Sequence, residues 1–354
     1  MQSQKSCKRI VVKIGSSLFS GQKQKPDMSL LDSIAGQISA LVRQGREVLL
    51  VSSGAVALGM STLKLSSRPK ELRYLQAAAA AGQHELMRVY HREFSKYGLD
   101  CAQLLLTWDD FSGRSRYLNA KNTLNTLLSL KCVPVINEND TVSTEEIKFG
   151  DNDKLSALVA ILAGAELLII LSDVDGLLDK EKKVIRLVDK ITGQVKSLAS
   201  PASKKTCVGG MAAKIEAARI AVDSGIPCVI ANGHAGDVIT RLAADHFDCG
   251  TLFSPGRNML DEKRRWMAFG TRPKGRIIVD DGAKKALCAK KSLLAVGVVS
   301  CEGNFYSGDV VSICDKGSLE IGRGKAGIAS RELDKIKGER FSREVVHCDN
   351  LVIL

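Results

Sequence analysis

Two polar knots hold the residue types that could do chemistry in this chain. The first, Asn137-Glu138-Asn139-Asp140, follows directly on the apolar run 132–136. The second, Asp151-Asn152-Asp153, opens a segment in which Leu155, Leu158, Val159 and Leu162 recur at helical spacing. Asp and Asn are good helix N-caps, and capping accounts for one or two such residues. Seven carboxylates and amides at one strand end and the next helix start exceed that need. They suit a small polar or charged ligand. Two lysines add the opposite charge. Lys13 interrupts the apolar run Val11-Val12-Lys13-Ile14, so it either reaches out at a strand end or meets an anion. The Gly15-Ser16-Ser17 turn after it lets backbone amides approach a phosphate. Lys214 falls one turn into a helix that starts at Val208-Gly209-Gly210-Met211-Ala212-Ala213. A glycine pair before a helix N-terminus can hold an anion, as in phosphate-binding loops, although the Walker spacing is absent. Ser52-Ser53-Gly54-Ala55 and Ser172-Asp173-Val174-Asp175-Gly176 also close apolar runs, in residues that ordinary turns use.

The elements that must position these residues alternate. Apolar runs predict strands over 8–14, 47–51, 104–106, 132–136, 167–171 and 227–231. Helical spacing predicts helices over 30–42, 71–97, 117–130, 155–162, 215–222 and 237–244, with 77–81 as a close helix-packing face. The lysine-rich stretch 180–205 reads as a surface hairpin or arm. Such alternation over about 250 residues predicts an α/β fold, an α/β/α sandwich with a mainly parallel central sheet. In such sheets ligands gather outside the carboxyl ends of the strands, where both knots fall. Composition shifts at Pro255-Gly256, and the charged run Asp261-Glu262-Lys263-Arg264-Arg265 reads as a junction. Beyond Gly270 short strands broken by glycines, 276–279, 297–300, 309–313, 319–321 and 345–346, predict a small β-rich domain. The expected division is 1–258, a junction at 259–269, and 270–354.

Bulk properties agree with two soluble globular domains. The chain has 354 residues, 45% apolar and 25% charged. No apolar run nears the roughly 20 residues that span a bilayer, and residues 1–9 carry no signal-peptide core, so a cytoplasmic location is expected. The ten cysteines form no Cys-x-x-Cys pair, and Cys132, Cys228 and Cys314 sit in apolar runs as expected core residues. A net charge of +12 suits anionic ligands, RNA, or simply a solvated lysine-rich surface. There is no basic stripe interleaved with aromatics, so nucleic-acid binding is not indicated.

Taken together, Val12-Lys13-Ile14-Gly15-Ser16-Ser17, Ser52-Ser53-Gly54-Ala55, Pro134-Val135-Ile136-Asn137-Glu138-Asn139-Asp140 and Gly150-Asp151-Asn152-Asp153 resemble the amino acid kinase family. The Ser172-Asp173 turn and the Gly209-Gly210-Met211 loop to Lys214 match as well. Val279-Asp280-Asp281-Gly282-Ala283 resembles the start of a PUA domain. The likeness runs over nearly the whole chain, and the two Asn/Asp knots are specific to members that phosphorylate glutamate. It implies the amino acid kinase fold and ATP-dependent phosphorylation of the L-glutamate side-chain carboxylate to L-glutamyl 5-phosphate, the first step of proline biosynthesis. Lys13 and Lys214 would hold the phosphates, with Asp153 orienting the two. Ser53, Asp140 and Asn152 would bind glutamate, with Asn137 and Asp151 nearby. Asp140 would suit its ammonium and Asn152 its α-carboxylate. Lys13, Gly15, Ser172, Asp173 and the loop Val208, Gly209, Gly210, Met211, Ala212, Ala213 and Lys214 would bind ATP. Mg²⁺ would ride on the ATP phosphates, with no protein ligand assigned. The resemblance further implies proline as feedback inhibitor and a homo-oligomer, dimer or tetramer. It leaves room for association with the next enzyme of the proline pathway.

The chain departs from the family pattern at three places. Val208 stands where a threonine usually begins the loop, which removes a hydroxyl contact to nucleotide. Leu178 replaces a usual tyrosine, and Gly322-Arg323-Gly324-Lys325 replaces the more usual Ala-Arg-Gly-Leu. Two alternatives stay open at this point. One is a sister amino acid kinase acting on acetylglutamate, aspartate or uridylate. The other is an RNA-binding protein built on the PUA-like domain.

Overall fold

Continuous β-branched and leucine runs make strands that must be covered on both faces. A computed structural model of the chain, which describes residues 7–19, 26–142, 152–199, 210–256, 262–271 and 273–353, pairs eight of them in one sheet. They are β1 (Arg9–Ile14), β2 (Glu47–Ser52), β3 (Cys101–Leu106), β4 (Val133–Glu138), β5 (Leu167–Ser172), β6 (Leu187–Val188), β7 (Cys228–Asn232) and β8 (Thr251–Phe253). Their order across the sheet is β3-β4-β2-β1-β5-β7-β8-β6. Every pairing is parallel except β7 with β8. The contacts divide the chain into two compact units, Met1–Met259 and Leu260–Leu354.

The period of two in β1 decides where the chemistry goes. Ile10, Val12 and Ile14 face one side, in a core with Leu30, Leu31 and Ile34 of the Met28–Arg43 helix and with Val238 and Ile239. Val11 and Lys13 therefore face the other side, which the Asn152–Ala163 and Met211–Asp223 helices cover.

The polar knot at 137–140 begins inside the sheet rather than after it. β4 continues through Asn137 and Glu138, which pair with Leu105 and Leu106 of β3 and are buried. Leu105 and Leu106 at the end of β3 supply the backbone partners that carry the strand past its last apolar residue. The 180–205 stretch also differs from a free arm. A Leu178–Val184 bridge closes a hairpin, and Leu187–Val188 then extends the sheet edge beside β8. Residues 200–205 lie outside the described residues. Cys228 and Cys314 are buried as expected, but Cys132 precedes β4 at the sheet's end and is half-exposed.

The alanine-rich face works through a glycine. The Ala55–Thr62 helix meets the Leu72–Ser95 helix backbone to backbone, and a Cβ at Gly82 would lie 1.8 Å from the Ala55 carbonyl oxygen. The next residue, Gln83, is thereby held against β4.

In the second unit the strands Val298–Gly303, Gly275–Val279, Val310–Cys314, Glu320–Lys325 and Leu351–Ile353 form a five-stranded sheet in that order. Ile277, Val279, Phe305, Val311 and Ile313 lie in its core. The last of these strands, and the short helices Asp281–Cys288 and Ser330–Ile336, are not apparent from the sequence pattern. Asp280 caps the first helix by accepting from the Ala283 amide at 2.7 Å. Among the described residues no helix is long and apolar enough to cross a membrane.

Candidate active site

The carboxyl ends of β1, β2, β4, β5 and β7 lie side by side because the strands are parallel and in register. Helices following such strands begin at that same end. Those at Ser16, Ala55 and Asn152 do, and the Met211–Asp223 helix, which leads into β7, starts at the same edge; each turns its positive dipole end toward it. Gly54 makes the turn from β2 into the Ala55–Thr62 helix at φ +116°, a conformation open to glycine, and the Phe19 ring fills the space a Cβ would need.

Asp153, in the first turn of the Asn152–Ala163 helix, is fully buried between two lysines. Lys13 reaches its Oδ1 from β1, and Lys214 Nζ lies 3.1 Å from its Oδ2 from the first turn of the Met211–Asp223 helix. The two lysines are 2% and 7% exposed. Burying ions is costly unless geometry and pairing are good, and here two cations share one anion. Two ammonium groups converging on one carboxylate at this edge suit a polyanion. Gly15 keeps the space beside it open, since a Cβ there would lie 3.8 Å from Lys13 Nζ. Its own amide is spent on the Leu171 carbonyl at 3.3 Å, so an anion would meet the amides of Ser16 and Ser17 instead. Lys154, the residue after Asp153, places its ammonium 4.5 Å above the Trp108 ring, beyond β3.

Beside this charge centre lies a relay of amides. Asn152 Nδ2 donates to the Ser52 carbonyl oxygen at 2.7 Å, to Asn137 Oδ1 at 2.8 Å and to Ser53 Oγ at 3.0 Å. Asn137 Oδ1 also accepts from the Glu138 amide at 2.9 Å, and its Nδ2 donates to Gln83 Oε1 at 2.9 Å. Ser52 Oγ pairs with the Tyr90 hydroxyl at 2.7 Å, and burial raises the Tyr90 pKa so that the phenol stays neutral. The NH₂ group of Asn152 is thus spent within the protein, where the sequence reading expects it to meet the α-carboxylate of a substrate. Asp140 sits half-buried in the turn after β4, next to Asn139, whose carbonyl accepts from the Val142 amide at 3.2 Å.

On the other side of β1, Ser172 ends β5 and donates to Asp173 Oδ1 at 3.3 Å. Asn232 at the end of β7 braces that turn through Asp175 at 2.8 Å. Gly210 stands at the N-cap position of the helix that carries Met211, Ala212, Ala213 and Lys214, and has no side chain to cap it. Asp151, Val208 and Gly209 lie outside the described residues. Leu178 is exposed in the hairpin. Gln83, Tyr90 and Asn232 join the site without being singled out by the sequence. None interrupts an apolar run or belongs to a motif, and their partners lie far along the chain. The thiols offer no nucleophile here: burial pushes Cys101 up to about 11, and burial and then the Asp153 carboxylate raise Cys228 as well.

Comparison with known proteins adds to this geometry. The amino acid kinase family matches over residues 8–232 and the PUA domain over residues 275–348. Glutamate 5-kinase of Caldanaerobacter subterraneus subsp. tengcongensis is 44% identical, over 98% of this chain and 98% of that protein. Glutamate 5-kinase of Geobacter metallireducens is 43% identical, over 99% of this chain and 98% of its own length. That of Pelobacter propionicus is 42% identical, over 98% of each.

Proposed function

The chain belongs to the amino acid kinase family, and on that premise we propose that it phosphorylates the side-chain carboxylate of L-glutamate with ATP, giving L-glutamyl 5-phosphate for proline biosynthesis. The observation that carries this reading is the buried Lys13–Asp153–Lys214 centre beside the Asn137–Asn152–Ser53 relay. One part suits a polyphosphate and the other a small zwitterion.

A carboxylate acceptor is already ionised at neutral pH, so no general base is needed. The obstacle is repulsion between two anions, and catalysis lies in alignment and in cations around the group in flight. In the transfer an acceptor oxygen forms a bond to the γ-phosphorus, and the bond to the ADP oxygen breaks with its electron pair going to ADP. Lys13, from the acceptor side, and Lys214, from the nucleotide side, neutralise the charge that builds on the phosphoryl oxygens. Asp153 holds both ammonium groups in place. Ser172 and Asp173 border the nucleotide, with Gly15 leaving room for the phosphates and Gly210, Met211 and Ala212 offering backbone amides ahead of Ala213 and Lys214; Val208 and Gly209 precede them in the sequence. Ser53, Asn152 and Asp140 bind the amino acid, with Asn137 and Asp151 beside them. Mg²⁺, when bound, screens the phosphate oxygens. Asp153 already spends both carboxylate oxygens on lysines, which suits an ion carried by ATP rather than by the protein.

Proline has the same α-carboxylate and a cationic amine but no acceptor carboxylate, so it would occupy the amino acid site unproductively. We extend the reading to proline as feedback inhibitor, a cytoplasmic location, a dimer or tetramer, and association with the next enzyme of the pathway. The test is ADP release from MgATP with L-glutamate, acetylglutamate, aspartate or uridylate, with and without proline. Turnover on L-glutamate, with proline inhibition relieved by glutamate and not by ATP, is expected. Preference for another acceptor would overturn the assignment.

A further inference from the structure

Gln83 belongs to no motif and sits within an alanine-rich helix, yet it is only 8% exposed and one end of it is unpaired. Its Oε1 accepts from Asn137 Nδ2 at 2.9 Å, while its Nε2 is buried without a hydrogen-bond partner among the described residues. A buried amide donor left unpaired is costly, and an apolar residue of the same size would avoid that cost. The use of glutamine must then lie in its accepting oxygen.

Two backbone groups determine what that oxygen does. The Ser52 carbonyl can only accept, so the Asn152 group 2.7 Å from it is the NH₂. The Glu138 amide can only donate, so the Asn137 atom 2.9 Å from it is the oxygen, which also takes the Asn152 NH₂ at 2.8 Å. Asn137 must then present its own NH₂ to Gln83, and Gln83 must present its oxygen. All three amide orientations follow from main-chain atoms and leave Asn152 Oδ1 as an acceptor with no hydrogen bond among the described residues.

We propose that Gln83 is a positioning residue for acceptor recognition: it locks Asn137, and through it Asn152, so that Asn152 offers a carbonyl oxygen to the α-ammonium of the amino acid. This rests on the glutamate kinase reading above. Without an acceptor at position 83 the Asn137 NH₂ is left buried without a partner, and the Asn137 side chain relieves this by shifting, at the expense of the hydrogen bonds its oxygen accepts from the Glu138 amide and the Asn152 NH₂. Discrimination for the ammonium is then lost, while the phosphate side is untouched.

The test compares the KM for L-glutamate with the inhibition constant of glutarate, which keeps both carboxylates and lacks only the ammonium. It is made on the wild type, on Gln83→Met, which keeps the shape without an acceptor, and on Gln83→Glu, which keeps the accepting oxygen. Both constants are independent of how much of a preparation is folded. The ratio of glutarate constant to glutamate KM is expected to fall about tenfold or more in Gln83→Met. It should stay within about threefold of wild type in Gln83→Glu, with the KM for ATP unchanged in both. An unchanged ratio in Gln83→Met, equal weakening of glutamate and glutarate, or a Gln83→Glu ratio as low as that of Gln83→Met would each overturn the inference alone. A wild type that does not turn over L-glutamate would overturn the function and this inference with it.

Discussion

The two units handle charge in opposite ways. In the first, Lys13, Asp153 and Lys214 are all less than a tenth exposed, and both lysines reach the same carboxylate. In the second, Arg323 pairs with Glu320 at 2.8 Å and also donates to the carbonyls of Ala268 and Thr271, while Lys284 pairs with Asp315 at 2.7 Å, each charge partly in solvent. Those pairs tie one piece of chain to another, and each is balanced. Even the buried Glu93 of the first unit follows this pattern, because its partners Arg92 and Lys96 are well exposed. Charges held away from water contribute little stability by themselves. A buried cluster of two lysines and a carboxylate at the carboxyl edge of the sheet, against half-exposed pairs in the second unit, separates a place suited to an anion from places built to hold a fold.

The strongest way to break this contrast is to remove a cation from each unit. Lys214→Ala is expected to lower turnover by about 100-fold or more while the protein stays folded, the scale for losing one aligned electrostatic group. Lys284→Ala should leave turnover within about twofold, since exposed pairs contribute little. Similar rates in the two variants, measured by ADP release, would erase the distinction.

A smaller loss is expected at the amide relay. Asn152→Ala and Asp140→Ala should each raise the KM for glutamate by about 10-fold to 100-fold, the scale of a lost hydrogen bond to a charged group, with the KM for ATP unchanged. If the ATP constant moves instead, these residues belong to the phosphate side.

Gly82→Ala probes the scaffold beneath that relay. The new methyl would press on the Ala55 carbonyl, and a loss of about 1–3 kcal/mol in unfolding free energy is expected. A melting curve that does not shift would show that the two helices part easily.

The smallest effect belongs to the second unit. The Lys284 ammonium, helped by the Leu319 and Gly317 amides, holds the Asp315 carboxyl below the usual carboxylate range. A lowered folded-state pKa stabilises above the unfolded value near pH 4, and that contribution fades as pH falls through the folded value. Asp315→Asn should therefore lower the melting temperature slightly at pH 7, with the gap to wild type closing on acidification below about pH 4. A gap that widens in acid would reverse the sign.

What the sequence reveals divides along physical lines. Strands β1, β2, β4 and β5 are legible because burial on both faces demands an unbroken apolar run, and Lys13 stands out by interrupting one. The polar knots are legible because local capping needs fewer such residues. Directions are not legible. The Asn152 NH₂ is turned inward by the Ser52 carbonyl, 100 positions away, and Gln83 meets Asn137 across 54. Nothing local in an alanine-rich stretch marks a glutamine whose partner comes from another layer. The short helices of the second unit escape for a related reason. A single turn or two of amphipathic chain looks like a loop until a sheet covers it.

The most direct measurement traps the product itself. With MgATP, L-glutamate and hydroxylamine, an acyl phosphate on the side-chain carboxylate is captured as the γ-hydroxamate, which can be counted against the ADP formed. The buried Lys13–Asp153–Lys214 centre predicts hydroxamate equal to ADP in the wild type, and both falling together in Lys13→Ala and Lys214→Ala. ADP formed without hydroxamate, or undiminished hydroxamate in either lysine variant, would contradict it.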